Sequence, residues 1–279
     1  MDNIFLYFSA YPTVRYAAIA IILISVCAAL LGICLVLKRF SMIGDGLSHV
    51  SFGSTAIATV LGLTTPIYIA LPTTVLAAIL LLRLRSRSGA KGDSAIAMIS
   101  SAALAFGYLL LNLFNGNSAN VNSDACATLF GSGIMGIKLS DVVVCSALSA
   151  LVLLFFFLFY NKVFSVTFDE DFAAATGQNA AFFNTVIAVI SAVVVVVAMS
   201  LLGALLASAL VVFPALSAMR IFKSFRGVTL CAVTISLISA AIGIILSLAF
   251  ATAIGPTVVV ADICVFLICI FIGEIRKRG

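Results

Sequence analysis

The chain is a succession of long apolar runs broken by short polar punctuation. A helix needs about 20 predominantly apolar residues to cross a bilayer core. By that measure Tyr16 to Leu37 predicts a first span, closed by Lys38-Arg39-Phe40. Ile43 to Leu63 predicts a second, and Pro66 opens a third that runs to Leu82. Arg83 to Asp93, RLRSRSGAKGD, is too charged for lipid. Ser94 to Phe114 and Val142 to Tyr160 predict spans four and five. Between them lies a polar loop, Asn115 to Asp141, whose weakly apolar centre LFGSGIMGI has the length of a short interfacial or re-entrant helix. Asn161 to Asn179 reads as a polar connection.

Ala180 to Phe222 is apolar almost without interruption. As one helix its 43 residues would reach ~65 Å, twice a bilayer core. The run is therefore two elements, Ala180 to Leu201 and Gly203 to Met219, with Pro214 fixing a bend or an end. Gly227 to Ala249 and, after the turn Ile254-Gly255-Pro256, Thr257 to Ile272 complete the series. The expected fold is an all-α polytopic membrane protein, a bundle of about nine transmembrane helices (eight to ten if a short element is miscounted). It forms a single membrane domain over residues 1–279. The first run is full length with no small-residue cleavage site after it, so it is expected to stay as a span. No tandem repeat shows at a fixed period.

Composition agrees. The chain is 64% hydrophobic and 9% charged, against about 25% charged for a soluble domain. With the N-terminus outside and the spans alternating, thirteen of the 15 basic residues fall on the cytoplasmic side. Only Arg15 and Lys138 fall outside. Cytoplasmic enrichment of Lys and Arg is what orients such proteins. The net charge of +5 is thus a matter of orientation, and a nucleic-acid partner loses its support. Six cysteines lie in apolar runs, Cys126 lies in a polar loop, and no C-x-x-C pair occurs. They read as small residues that pack helices.

Candidate chemistry is sparse. His49 is the single histidine, and Asp45 precedes it by one helical turn in SMIGDGLSHVSFG. On a helix the two share a face. A carboxylate and an imidazole so placed can bind one divalent cation, and ionisable groups inside a span mark ion paths. The plain alternative is a helix-capping Asp45 and a packed His49. Asp262, in TVVVADICVF, is a further carboxylate within an apolar run: a weaker metal candidate, or a hydrogen-bonded group that joins helices. Asn112 and Asn184 suit interhelical hydrogen bonds. Asp169, Glu170 and Asp171 suit a helix start. Residues 89–93, GAKGD, lack the spacing of a phosphate loop. One histidine in a membrane span also leaves no catalytic triad. The chain is not expected to be an enzyme, and ATP-driven transport would need a separate ATPase subunit. Pro214 to Gly227, PALSAMRIFKSFRG, is basic and amphipathic, fit to lie on the membrane or to present Phe222 and Phe225, with Arg220 and Arg226, to a partner.

Three segments together carry a resemblance. LKRFSMIGDGLSHVSFGSTAIATVLGL resembles the G-D-A-L-S-H region of the membrane subunits of bacterial ABC importers for zinc, manganese and iron. VTFDEDFAAATG resembles their F-D-x-x-x-A-x-x-x-G element, and LLASALVVFPALSAMRI their A-L-L-x-x-P-A-x-x-A-R element. Gly46 stands where a small residue is usual, and Phe52-Gly53 replaces a common proline-glycine; neither change touches Asp45 or His49. The resemblance implies a permease in a bacterial plasma membrane, of the same general bundle type as the vitamin B12 and siderophore importers. It implies a second copy of the chain, two ATPase subunits below, and a metal-loaded solute-binding protein outside. It implies Asp45 and His49 as transient metal ligands, and 214–227 (Pro214, Arg220, Phe222, Phe225, Arg226) as the coupling segment. No cofactor is expected, only a transported divalent metal, with zinc favoured over manganese or iron by overall similarity alone. The reading from another class is a secondary ion transporter or channel working alone, with Asp45, His49 and Asp262 as a relay.

Overall fold

The computed structural model describes residues 11–63, 65–88, 92–114, 128–131, 137–250 and 252–278. The elements in order are α1 (Pro12–Leu37), α2 (Ile43–Val60), α3 (Ile67–Ser88), α4 (Gly92–Phe114), α5 (Leu139–Phe168), the short α6 (Glu170–Ala175), α7 (Ala180–Leu202), α8 (Ala204–Ile221), α9 (Phe225–Phe250) and α10 (Ile254–Arg278). Residues 128–130 add one helical turn. The remainder of the 115–141 loop that bears on a re-entrant helix, with Cys126, lies outside the described residues, as do residues 89–91.

Among the described residues, seven helices are long and apolar enough to cross a membrane: α1, α4, α5, α7, α8, α9 and α10. α2 falls short because its own Gly, Ser, Asp and His dilute it, and α3 carries a further apolar stretch over Ile67–Arg83. Large side chains such as Met98, Phe106, Phe157, Leu230 and Phe271 point outward and are exposed. In water such a surface would drive association; in a bilayer it is the lipid-facing belt.

The stops between helices follow from backbone chemistry. After α1, Arg39 takes a left-handed φ of 59°. The Arg39 amide donates to the Val36 carbonyl at 3.0 Å and the Phe40 amide to Leu35 at 2.7 Å, so the last carbonyls of α1 are satisfied as the chain turns. Glycine usually fills that position, as Gly62 does after α2 and Gly177 after α6, both at positive φ. At Gly203, φ is 93° and ψ 157°, a region open essentially to glycine alone. The 180–222 run is cut there. A Cβ on Gly203 would lie 2.4 Å from the Gly131 amide nitrogen, and one on Gly255 would lie 2.5 Å from the Phe130 carbonyl oxygen. The α7–α8 break, the 128–131 segment and the start of α10 therefore meet main chain to main chain at one end of the bundle.

The other end is marked by a polar contact. Lys38, which caps α1, reaches Glu170 at the start of α6 and Asn184 in the second turn of α7. The α5 helix arrives at this end having run further than its apolar pattern suggests. It continues through the expected connection to Phe168, with a kink at Phe159 (φ −110°, ψ 17°). Asn161, Lys162, Ser165 and Thr167 leave the lipid without leaving the helix, because polarity ends a membrane span and does not by itself end a helix.

Helix α1 is the central post, packed on α5, α8 and α9, while α2 packs on α3, α4, α7 and α8. Small residues set the closest approaches. A Cβ on Gly32 would meet the Val211 carbonyl oxygen at 1.9 Å, and one on Gly53 would meet that of Ala103 at 2.7 Å. With apolar lipid all round, such backbone contact is what holds membrane helices together.

Candidate metal path

The glycines around Asp45 and His49 explain how α2 sits. Gly44 faces Val211 of α8, Gly46 faces Ile96 of α4 and Leu81 of α3, and Gly53 faces α4 backbone. Neighbouring helices press on α2 at these positions and leave the carboxylate and imidazole on a separate stripe. His49 Nε2 stands 3.5 Å from Asp45 Oδ1. Two ligands at about 2.1 Å from one tetrahedral ion are ~3.4 Å apart, so the spacing matches the bite of a single divalent cation. His49 is largely buried, its side chain 19% exposed, while Asp45 is 41% exposed. His49 Nδ1 is buried without a hydrogen-bond partner. Among the described residues no cluster of three or more His, Cys, Asp or Glu is placed to hold a metal. One chain offers two ligands.

A cavity of about 510 Å³ lies beyond His49 towards the Gly203 end, lined by Ser51, Thr55, Thr59, Thr65, Thr128 and Ser200 with Phe52 and Met199. Ser51, Thr55 and Thr59 recur every fourth residue of α2, a hydroxyl stripe beginning two residues beyond His49. That spacing is visible in the sequence, and a search for charged ligands passes over it. Thr55 donates to the Phe52 carbonyl, Thr59 to Thr55 and Ser200 to Val197. Phe52 is 1% exposed and shares the stripe of Asp45, His49 and Thr59.

At the Lys38 end a second cavity, about 650 Å³, is lined by Lys38, Arg39, Phe40, Arg83, Thr167, Glu170 and Asn184 among others. The Lys38 ammonium donates to Glu170 Oε1 at 2.8 Å and to Asn184 Oδ1, and the Asn184 amide donates to the same Glu170 oxygen at 2.9 Å. Lys38 is 7% exposed and Glu170 53%. Burial pulls the Lys38 pKa below its ordinary value against the opposing pull of Glu170. Asn184 is thus an interhelical hydrogen-bonding residue; its partnership with Lys38 and Glu170 is not foreseeable from a single sequence.

The remaining candidates fall elsewhere. Asp262 is on α10, which packs on α8 and α9. It is 1% exposed, and neither oxygen has a hydrogen-bond partner. Ser239 of α9 lies beside it but outside hydrogen-bond geometry. The structure does not bring Asp262 to Asp45 and His49. Asn112 donates within its own helix, to the Tyr108 carbonyl. Asp169 caps α6, accepting from the Phe172 amide. Residues 214–227 are not a separate surface helix: they comprise the end of α8, a short link and the start of α9. Pro214 is buried in the bundle, and Phe225 is buried against Tyr160, Phe164 and Phe168. Arg220, Phe222 and Arg226 are exposed, with Arg226 over the Tyr160 ring.

Residues 10–273 match the ABC 3 transport family. The chain belongs to that family. It is 28% identical over 261 residues to the manganese import system permease protein ScaB of Streptococcus gordonii, covering 94% of this chain and 91% of that one. It is 27% identical over 253 residues to the high-affinity zinc uptake system membrane protein ZnuB of Haemophilus influenzae, covering 91% and 95%. Its fold matches a chain of the structure of PsaBC from Streptococcus pneumoniae in complex with Fab, with a TM-score of 0.82, 27% identity and coverage of 96% and 95%. The helices and the family together make this ABC 3 chain a multi-pass integral membrane protein of the bacterial plasma membrane.

Proposed function

We propose that this chain is the membrane-spanning permease of an ATP-driven importer of a divalent transition metal. The 3.5 Å pairing of His49 Nε2 with Asp45 Oδ1 carries the reading. The named relatives are a manganese import permease and a zinc uptake membrane protein. A site of one carboxylate and one imidazole suits either, and ferrous iron as well. The preference for zinc drawn from the sequence gains no support from these names. α2 and α3 complete nine spans, arranged as in the vitamin B12 and siderophore type of importer.

Cargo enters through the hydroxyl-lined cavity, is held by Asp45 and His49, and leaves past the Lys38 end. Two copies of the chain about a two-fold axis would offer two such pairs. A path must bind well enough to admit the ion and weakly enough to release it, which suits a transient, water-completed site. A solute-binding protein delivers metal at the Gly203 end. The ATPase, supplied by a separate subunit, docks at the other end. The exposed groups there are Arg220, Phe222, Lys223 and Arg226, together with Phe168 and Phe172 flanking the acidic start of α6. Phe225 ties these into one surface through its ring contacts with Phe164 and Phe168. Docking thus extends beyond 214–227 to α6.

The test is metal uptake by the complete complex in liposomes, with manganese, zinc and ferrous iron in competition. Asp45→Ala and His49→Ala are expected to abolish uptake while insertion and assembly persist. Uptake near normal in both variants would leave the pair as a cap and a packed histidine. Uptake by the chain alone, without an ATPase, would favour a stand-alone ion transporter.

A further inference from the structure

Lys38 lies at the turn from α1 into α2, seven residues before Asp45. Its ammonium is almost wholly inside the protein, where an unpaired charge is costly. Two of its partners come from other elements: Glu170 from the first turn of α6, and Asn184 from α7. The Asn184 amide closes a three-membered network by bonding the Glu170 oxygen that Lys38 also bonds. Glu170 is half exposed, on the same short helix as the solvent-facing Phe172. α6 has few anchors of its own. Ala173 is its single buried residue, and it packs with Val166 and Phe183. The 650 Å³ cavity beside the network leaves α6 room to shift.

We propose that the Lys38–Glu170–Asn184 network is the positioning link that carries movement of α6 to the α1–α2 turn, and so sets where Asp45 and His49 stand. The link rests on the docking of an ATPase at α6 proposed above. Its physical basis is that a buried ammonium follows its carboxylate. Separating them would leave the buried ammonium without its carboxylate, which is costly. Arg39, at positive φ immediately after Lys38, fixes the backbone so that a pull on Lys38 acts on Phe40 and the start of α2. Glu170 and Lys38 touch no metal in this scheme; they position the residues that do.

The test uses the reconstituted complex of chain, ATPase and binding protein, and reads metal delivered per ATP hydrolysed. Lys38→Met with Glu170→Gln removes both charges together, so no buried charge is orphaned. This pair is expected to lower metal per ATP by about tenfold, the scale of a typical coupling free energy. The exchange Lys38→Glu with Glu170→Lys restores the attraction, and Asn184, with both a donor and an acceptor, can serve either order. It is expected to recover much of the coupling, which a role in packing alone would not produce. Should the neutral pair melt early, Glu170→Asp carries the test, because it keeps the charge and withdraws it by one methylene at a half-exposed site. Wild-type metal per ATP in the neutral pair, or in Glu170→Asp where the pair is unfolded, overturns the link. A wild-type chain that holds no ATPase at all would show the docking reading to be wrong before any variant is made.

Discussion

Val211 is wedged between two glycines: its carbonyl oxygen lies where a Cβ of Gly32 would be, and its side chain lies 3.6 Å from where a Cβ of Gly44 would be. The two contacts predict opposite outcomes for the same change. Gly32→Ala puts a methyl group 1.9 Å from backbone, so α1 and α8 must separate; a loss of roughly 1–3 kcal/mol or more is expected. Gly44→Ala meets the Val211 side chain at ordinary contact distance and should be tolerated. Melting of the detergent-solubilised chain compares the two, and equal stability would contradict the packing.

Phe222 and Phe225 are three residues apart and should fail differently. Phe225→Ala empties a buried site between Tyr160, Phe164 and Phe168, and should cost about 3–5 kcal/mol. Phe222→Ala and Phe172→Ala remove exposed rings. They should leave melting unchanged and reduce the ATPase retained on purification. A stable Phe225→Ala chain that loses its ATPase would return Phe225 to the docking surface.

Asp262 is buried and, among the described residues, has no hydrogen-bond partner. A charge there is costly. Asp262→Asn, which removes the charge and keeps the shape, is expected to leave insertion and metal uptake unchanged. Loss of uptake in this variant, with normal insertion, would place Asp262 on the ion path.

Orientation is checked by single cysteines on a background without native ones. Arg83→Cys should react with a membrane-impermeant thiol reagent only from the cytoplasmic side, and Lys138→Cys only from outside. Labelling of Arg83→Cys from outside would invert the topology.

Much of this was legible in the sequence, for identifiable reasons. Length against bilayer thickness located the long helices, and the two-bilayer run from Ala180 to Phe222 demanded the break that Gly203 supplies. The Asp45–His49 spacing followed from helical periodicity. What escaped depends on another part of the chain. Lys38, Glu170 and Asn184 are more than 130 residues apart at the extremes, and no local pattern joins them. Phe225 reads as an amphipathic anchor until the rings of α5 close over it. The Phe168 end of α5 was missed because hydropathy reports lipid, while helix propensity persists through Asn161 and Lys162.

The hydroxyls of the cavity beyond His49 have a consequence for the charge such a cavity favours. Thr55, Thr59 and Ser200 each give their hydrogen to a carbonyl of their own helix. A hydroxyl has one hydrogen and two lone pairs, so with its hydrogen committed it can offer only oxygen lone pairs to the lumen. At these three positions the cavity presents acceptors without formal charge. On the path proposed above they accept from the outer waters of a hydrated cation and have no hydrogen to give chloride or phosphate. They favour a cation by polarity while holding no ion tightly, and discrimination between one metal and another is left to the carboxylate and imidazole.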